Sequence, residues 1–135
     1  MIIICSFMKK KENYFSLTDR LRSFRFAFRG ILDLLKDEHN FRIHITLLLL
    51  VIAAGIFLHI TDTEWLIIIL VSALVLVSES FNSSIEHLAD TINPEEDERI
   101  RKVKDIAAAA VLITAVAAVL AGAIIFMPYL LKIFV

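Results

Sequence analysis

Four polar side chains, Glu79, Asn82, Glu86 and Asp90, recur at intervals of three, four and four in the stretch SESFNSSIEHLAD, residues 78–90. On a helix that turns about 100° per residue they fall within about 80° of one another, so they make one stripe. The stretch continues from residues 65–78, none of which is charged. A charge within a bilayer-spanning helix costs roughly 2.5–3.5 kcal/mol even on the lenient insertion scale, so Glu79 must face a protein interior or a wet cleft. A plainer alternative covers only the far end: if the helix has left the bilayer by Glu86, then Glu86 and Asp90 are ordinary solvated acids. Lys104-Asp105 opens the last apolar run, and Glu38, in Asp37-Glu38-His39-Asn40, precedes the first. Lys104 alone reads as a snorkelling anchor, but the short stem of Asp105 gains nothing by anchoring. Several carboxylates and a lysine beside a membrane surface suit Mg²⁺ and phosphate, since Mg²⁺ is usually held by one or two carboxylates plus substrate phosphates.

Other chemistries are excluded by what the chain lacks. Gly30, Gly55 and Gly122 are its only glycines, too few and too scattered for a Walker A loop or a Rossmann turn. Cys5 is the sole cysteine, so no internal disulfide is possible, and no His and Cys cluster suits zinc. No nucleic-acid partner is expected of a chain whose formal net charge is −1.

The elements that position the acids are membrane helices. Of 135 residues, 59% are hydrophobic, mean hydropathy is +0.78, and three long apolar runs predict an all-α membrane protein. Residues 1–17 read as an N-terminal arm and 18–135 as a single integral-membrane domain. The opening MIIICSFM is too short to span and lacks the pattern of a signal peptide, and Met8 is an alternative start. Over 18–36 the apolar residues Leu21, Phe24, Phe28, Ile31, Leu32 and Leu35 recur at helical spacing with Arg and Lys around them, which predicts an amphipathic helix on an anionic leaflet. Spans are expected at about 41–60, 65–87 and 103–127. Thr61-Asp62-Thr63-Glu64 is a capping box that makes the first two spans a hairpin, with Trp65 at interface depth. The last helix is expected to start at Asn93-Pro94-Glu95-Glu96, with Asp97–Arg101 and Glu98–Lys102 as i,i+4 pairs. Its alanines let neighbouring backbones approach closely. Lys and Arg crowd the segment up to Arg42 and residues 99–104 but are missing between the first two spans. The positive-inside rule therefore puts the N terminus and the acidic stripe on the cytoplasmic side and the C terminus outside.

Glu79-x-x-Asn82-Ser83-x-Ile85-Glu86, followed by Asp90 and by Lys104-Asp105 ahead of a small-residue run, resembles the prokaryotic diacylglycerol kinase family of small integral-membrane lipid kinases. The resemblance covers nearly the whole chain from about Leu21, including Gly30 and the Glu38-x-x-Phe41-Arg42 turn. It implies a homotrimer in the bacterial cytoplasmic membrane, each active site being built from neighbouring subunits. It also implies that Glu79 is the general base, that Glu38 and Glu86 hold the Mg²⁺ that bridges the ATP phosphates, and that Asn82, Asp90, Lys104 and Asp105 complete the nucleotide pocket. His44 and Phe26 depart from the enterobacterial branch, and Asn40-Phe41-Arg42-Ile43-His44 is more similar to the Gram-positive branch, whose members resemble undecaprenol kinases. Diacylglycerol and undecaprenol are both open as the lipid alcohol. Read from the residues alone, a proton or cation pathway and a non-catalytic trimeric scaffold are the alternatives.

Overall fold

The computed structural model describes residues 17–93 and 97–134. Among them every regular element is an α-helix: α1 (Leu17–Asp37), α2 (His39–Leu58), α3 (Asp62–Ile92) and α4 (Glu98–Phe134). The last three are each long and apolar enough to cross a membrane. The expectations for the N-terminal arm, a start at Met8 and the Pro94-Glu95-Glu96 helix start lie outside the described residues.

The chain divides after Leu32 into two units. In the first, α1 is a regular helix with Leu21, Phe24, Phe28 and Leu32 all well exposed. This is the apolar stripe that the spacing predicts.

In the second unit the first break comes at Glu38, a single extended residue (φ −98°, ψ 113°) between α1 and α2. The Arg42 guanidinium donates to the Lys36 carbonyl at 2.9 Å, bracing the step and fixing where Glu38 projects. The next turn is also short. His59 closes α2 in the left-handed region (φ 52°) and its N–H returns to the helix carbonyls. Thr61 and Glu64 then form the expected capping box: Glu64 N–H donates to Thr61 Oγ1 at 3.4 Å, and Thr61 N–H to Glu64 Oε2 at 2.7 Å.

Around this turn lies a core of Ile60, Ile68 and Ile125, with Val51, Leu58, Trp65, Phe126 and Tyr129 packed against it. Trp65 folds its ring onto Gly55, so that a Cβ added at Gly55 would stand 2.8 Å from Trp65 Cη2. Glycine is needed there for close approach, not for its backbone angles. From α4, Tyr129 Oη donates to Glu64 Oε2 at 2.7 Å, so a single carboxylate serves both the α3 cap and the attachment of α4. The helix α3 is central, packing against both α2 and α4.

Asp97 caps α4: its Oδ1 accepts from the N–H groups of Arg99 at 2.8 Å and Ile100 at 2.9 Å. Arg101 pairs with Asp105 at 2.8 Å, and Asp97 is occupied by the backbone. A side chain three residues from orphan N–H groups satisfies them at little entropic cost, whereas a solvated ion pair gains little. The helix runs without interruption through Pro128.

Gly55→Ala is expected to destabilise the protein by about 1–3 kcal/mol, the usual cost of overpacking. Gly30→Ala, where nothing lies within 4 Å of an added Cβ, should be neutral or mildly stabilising through helix propensity. Thermal unfolding in detergent measures both.

Candidate active site

The sequence of α3 alternates between what lipid tolerates and what it does not. Phe81 and Leu88 are exposed, while Glu79, Asn82 and Ser83 retain 2%, 5% and 1% of their accessible surface. These are the buried polar residues among those described. The polar stripe turns inward because burying it against other helices is cheaper than presenting it to hydrocarbon.

The stripe is knitted along α3 and to its neighbours. Asn82 Nδ2 donates to Glu86 Oε1 at 2.8 Å, one turn on, which leaves Asn82 Oδ1 buried and without a protein partner. Glu86, half-buried, is not the freely solvated acid of the plainer reading. The electrostatic surroundings of Glu79 include His44 of α2, Glu86 and Glu38. Glu38 Oε1 meets His87 Nε2 at 2.9 Å, tying the entrance of α2 to the far half of α3. On the other side Lys104 Nζ donates to Asp90 Oδ1 at 3.0 Å, bridging α4 and α3. Asp90 is largely exposed, and Lys104 is mostly covered. Glu79 and Glu64 are fifteen residues apart on one helix, so the acidic site stands about 22 Å from the Tyr129 attachment.

Of the seven residues expected at the site, Glu38, Glu79, Asn82 and Glu86 make one group, and Asp90 and Lys104 make a separate pair further along α3. Asp105 is not among them. It sits one position beyond Lys104, turned about 100° away, and pairs with Arg101 in an exposed position.

Three participants escape the sequence reading. His87 lies off the stripe and meets a residue 49 positions away, a relation that no local spacing reveals. His44 stands out in the sequence only by its type. Ser83 is visible in the motif, but its near-complete burial is a matter of tertiary packing.

Among the described residues no three His, Cys, Asp or Glu side chains converge as a ready metal cage. The donors at hand are two carboxylates, Glu38 and Glu86, and the unpartnered Asn82 Oδ1. Such an incomplete oxygen set fits Mg²⁺ that arrives with phosphates and water to fill its octahedron, and it does not fit a tightly held structural ion.

Three apolar spans, the middle one carrying an inward acidic stripe and a lysine bridged to its end, define a membrane protein. The sequence profile described as Prokaryotic diacylglycerol kinase matches residues 25–126. A diacylglycerol kinase from Synechocystis sp. (strain PCC 6803) is 36% identical over 116 residues, which cover 85% of this chain and 66% of that protein. An undecaprenol kinase from Bacillus subtilis (strain 168) is 32% identical over 123 residues, 91% of this chain and 100% of that one. The chain belongs to the prokaryotic diacylglycerol kinase family.

Burial of the stripe can be probed chemically in a Cys5→Ser background. Cysteine at position 90 should react readily with a membrane-impermeant maleimide, and cysteine at position 79 should resist it until the protein is denatured.

Proposed function

We propose that this protein is an ATP-dependent kinase of a membrane lipid alcohol, moving the γ-phosphate to the lipid hydroxyl. The observation that carries the proposal is Glu79, a carboxylate with 2% of its surface exposed in the central apolar helix. Its surroundings include two further acids and a histidine. Nothing in the packing of a plain membrane anchor calls for such a group. Phosphoryl transfer asks a protein chiefly for positioning and for charge stabilisation, both of which this site supplies without a glycine loop.

In this reading Glu79 takes the proton from the lipid hydroxyl as the oxygen attacks the γ-phosphorus, and the γ-phosphate bond to ADP breaks. Glu38 and Glu86 would hold Mg²⁺, which would supply positive charge to offset that of the ATP phosphates. Asn82, Asp90 and Lys104 form the nucleotide side of the pocket. The outward direction of Asp105 supports a homotrimer in which it serves the site of a neighbouring copy, and the apolar surface left exposed on α4, such as Ile113 and Val119, is available for such packing or for lipid. The distribution of Lys and Arg supports the bacterial cytoplasmic membrane, with the site facing the cytoplasm.

Diacylglycerol and undecaprenol are both membrane-embedded primary alcohols, and the correspondence over the full length of the Bacillus protein makes undecaprenol as strong a candidate as diacylglycerol. A proton pathway is disfavoured because α3 carries no titratable group between Glu64 and Glu79, leaving no relay toward the other face.

The test is transfer of labelled phosphate from ATP to each lipid alcohol by purified protein in mixed micelles. Transfer to at least one is expected, and transfer to none by folded protein contradicts the proposal. Glu79→Gln should lower kcat by about 10²–10⁴-fold, the range for loss of a general base, with assembly intact. Glu38→Ala and Glu86→Ala should instead raise the Mg²⁺ concentration needed for half-maximal rate. Asp97→Ala and Glu98→Ala serve as controls expected to do little to catalysis.

A further inference from the structure

Five hydroxyls on these helices share a pattern, and the most deeply buried hydroxyl stands outside it. Thr46, Ser80, Ser84, Thr91 and Thr114 each donate to the carbonyl four residues earlier, the usual refuge of a hydroxyl in a helix. Ser83 does not. Its Oγ has no protein partner, although its residue is the most completely buried polar one described, at 1% exposure. An unpaired buried donor of this kind is destabilising, so its presence calls for a compensating use.

Several observations say what that use is. Ser83 follows Glu79 by one turn, and helix side chains lean toward the N terminus, so its hydroxyl inclines toward the turn that carries Glu79. The chain itself already covers Ser83, so a neighbouring copy has no open route to pair with it, and only something small enough to enter the interior can. The polar groups around it are also unbalanced. The carboxylate oxygens of Glu38, Glu79 and Glu86 offer chiefly acceptors. One N–H of the Asn82 amide is committed to Glu86, and Lys104 is engaged with Asp90. An anionic phosphoryl group in transfer requires donors, and on this buried stretch of α3 the Ser83 hydroxyl, one turn from Glu79, is uncommitted, beside the second N–H of Asn82.

We infer that the Ser83 hydroxyl is a further catalytic residue, donating a hydrogen bond to an oxygen of the phosphoryl group as it passes to the lipid alcohol. This rests on the kinase reading and adds to it a contact with the transferred group itself. No bond of Ser83 is made or broken. Its proton stays on Oγ, and the hydrogen bond strengthens as negative charge spreads over the phosphoryl oxygens.

The experiment compares wild type, Ser83→Ala and Ser83→Thr, as full chains in the same micelles, for kcat, for KM of ATP and of lipid, and for melting temperature. Ser83→Ala should lower kcat on the order of ten- to a hundredfold, the loss of one hydrogen bond to a charged group, with KM for the lipid little changed. Its melting temperature should equal or exceed that of wild type, because an unpaired hydroxyl has been removed from the interior. Ser83→Thr, which keeps the hydroxyl, should recover part of kcat. An active wild type with an equally active Ser83→Ala overturns the Ser83 assignment and leaves the kinase reading standing. Loss of activity in step with loss of stability, without recovery in Ser83→Thr, also overturns it by making the role structural. A wild type that phosphorylates no lipid alcohol removes the kinase reading and this inference together.

Discussion

A carboxylate in the middle of a hydrocarbon-compatible helix is the constraint around which this chain is organised. Glu79 can persist there only if other helices cover it, and α3 is the helix that both α2 and α4 pack against. Once α3 must be covered, the connections follow. The α2–α3 turn is short and capped on both sides, α4 is hooked back to it through Tyr129 and Glu64, and small or close-fitting residues such as Gly55 let the helices approach. The far end of the molecule thus carries the attachments that need no chemistry. That leaves the other end free to keep polar atoms in strained supply.

The two ends contrast in how their polar groups are satisfied. At the hairpin, Glu64 is fully employed by Thr61 and Tyr129. Around Glu79, acceptors outnumber donors, and Asn82 Oδ1 and Ser83 Oγ are left without protein partners. A fold under selection for stability alone gains by replacing such groups with apolar ones, because unmade buried hydrogen bonds cost more than made ones contribute. Their presence side by side on the stripe is best understood as preparation for a ligand that brings its own donors, acceptors and counter-charge.

Much of this was legible from residue order. The stripe of Glu79, Asn82, Glu86 and Asp90, the Thr61–Glu64 cap and the three apolar runs depend on local periodicity, which sequence records directly. The amphipathic character of α1 was equally plain. What could not be read were relations made only by packing. Glu38 and His87 come together across 49 positions, the Trp65 ring covers Gly55 rather than merely marking an interface, and Tyr129 reaches Glu64 across 65 positions. The Asp97–Arg101 pair gives way for a different reason: Asp97 can either cap N–H groups or pair with Arg101, and a spacing rule does not say which wins. Asp105, adjacent to Lys104 in sequence, pairs with Arg101 instead of joining the Asp90–Lys104 bridge, since neighbours on a helix point about 100° apart.

The central claim is that the buried acids of α3 and Glu38 exist to receive a divalent cation together with a nucleotide. Mn²⁺ in place of Mg²⁺, added with a non-hydrolysable ATP analogue, tests it directly through paramagnetic broadening of amide signals in the detergent-solubilised protein. The account predicts broadening that depends on the nucleotide and centres on Glu38, Glu79, Asn82 and Glu86, with the Glu64–Tyr129 end unaffected at about 22 Å along the helix. Broadening centred on the hairpin end, or Mn²⁺ binding indifferent to nucleotide, would contradict it.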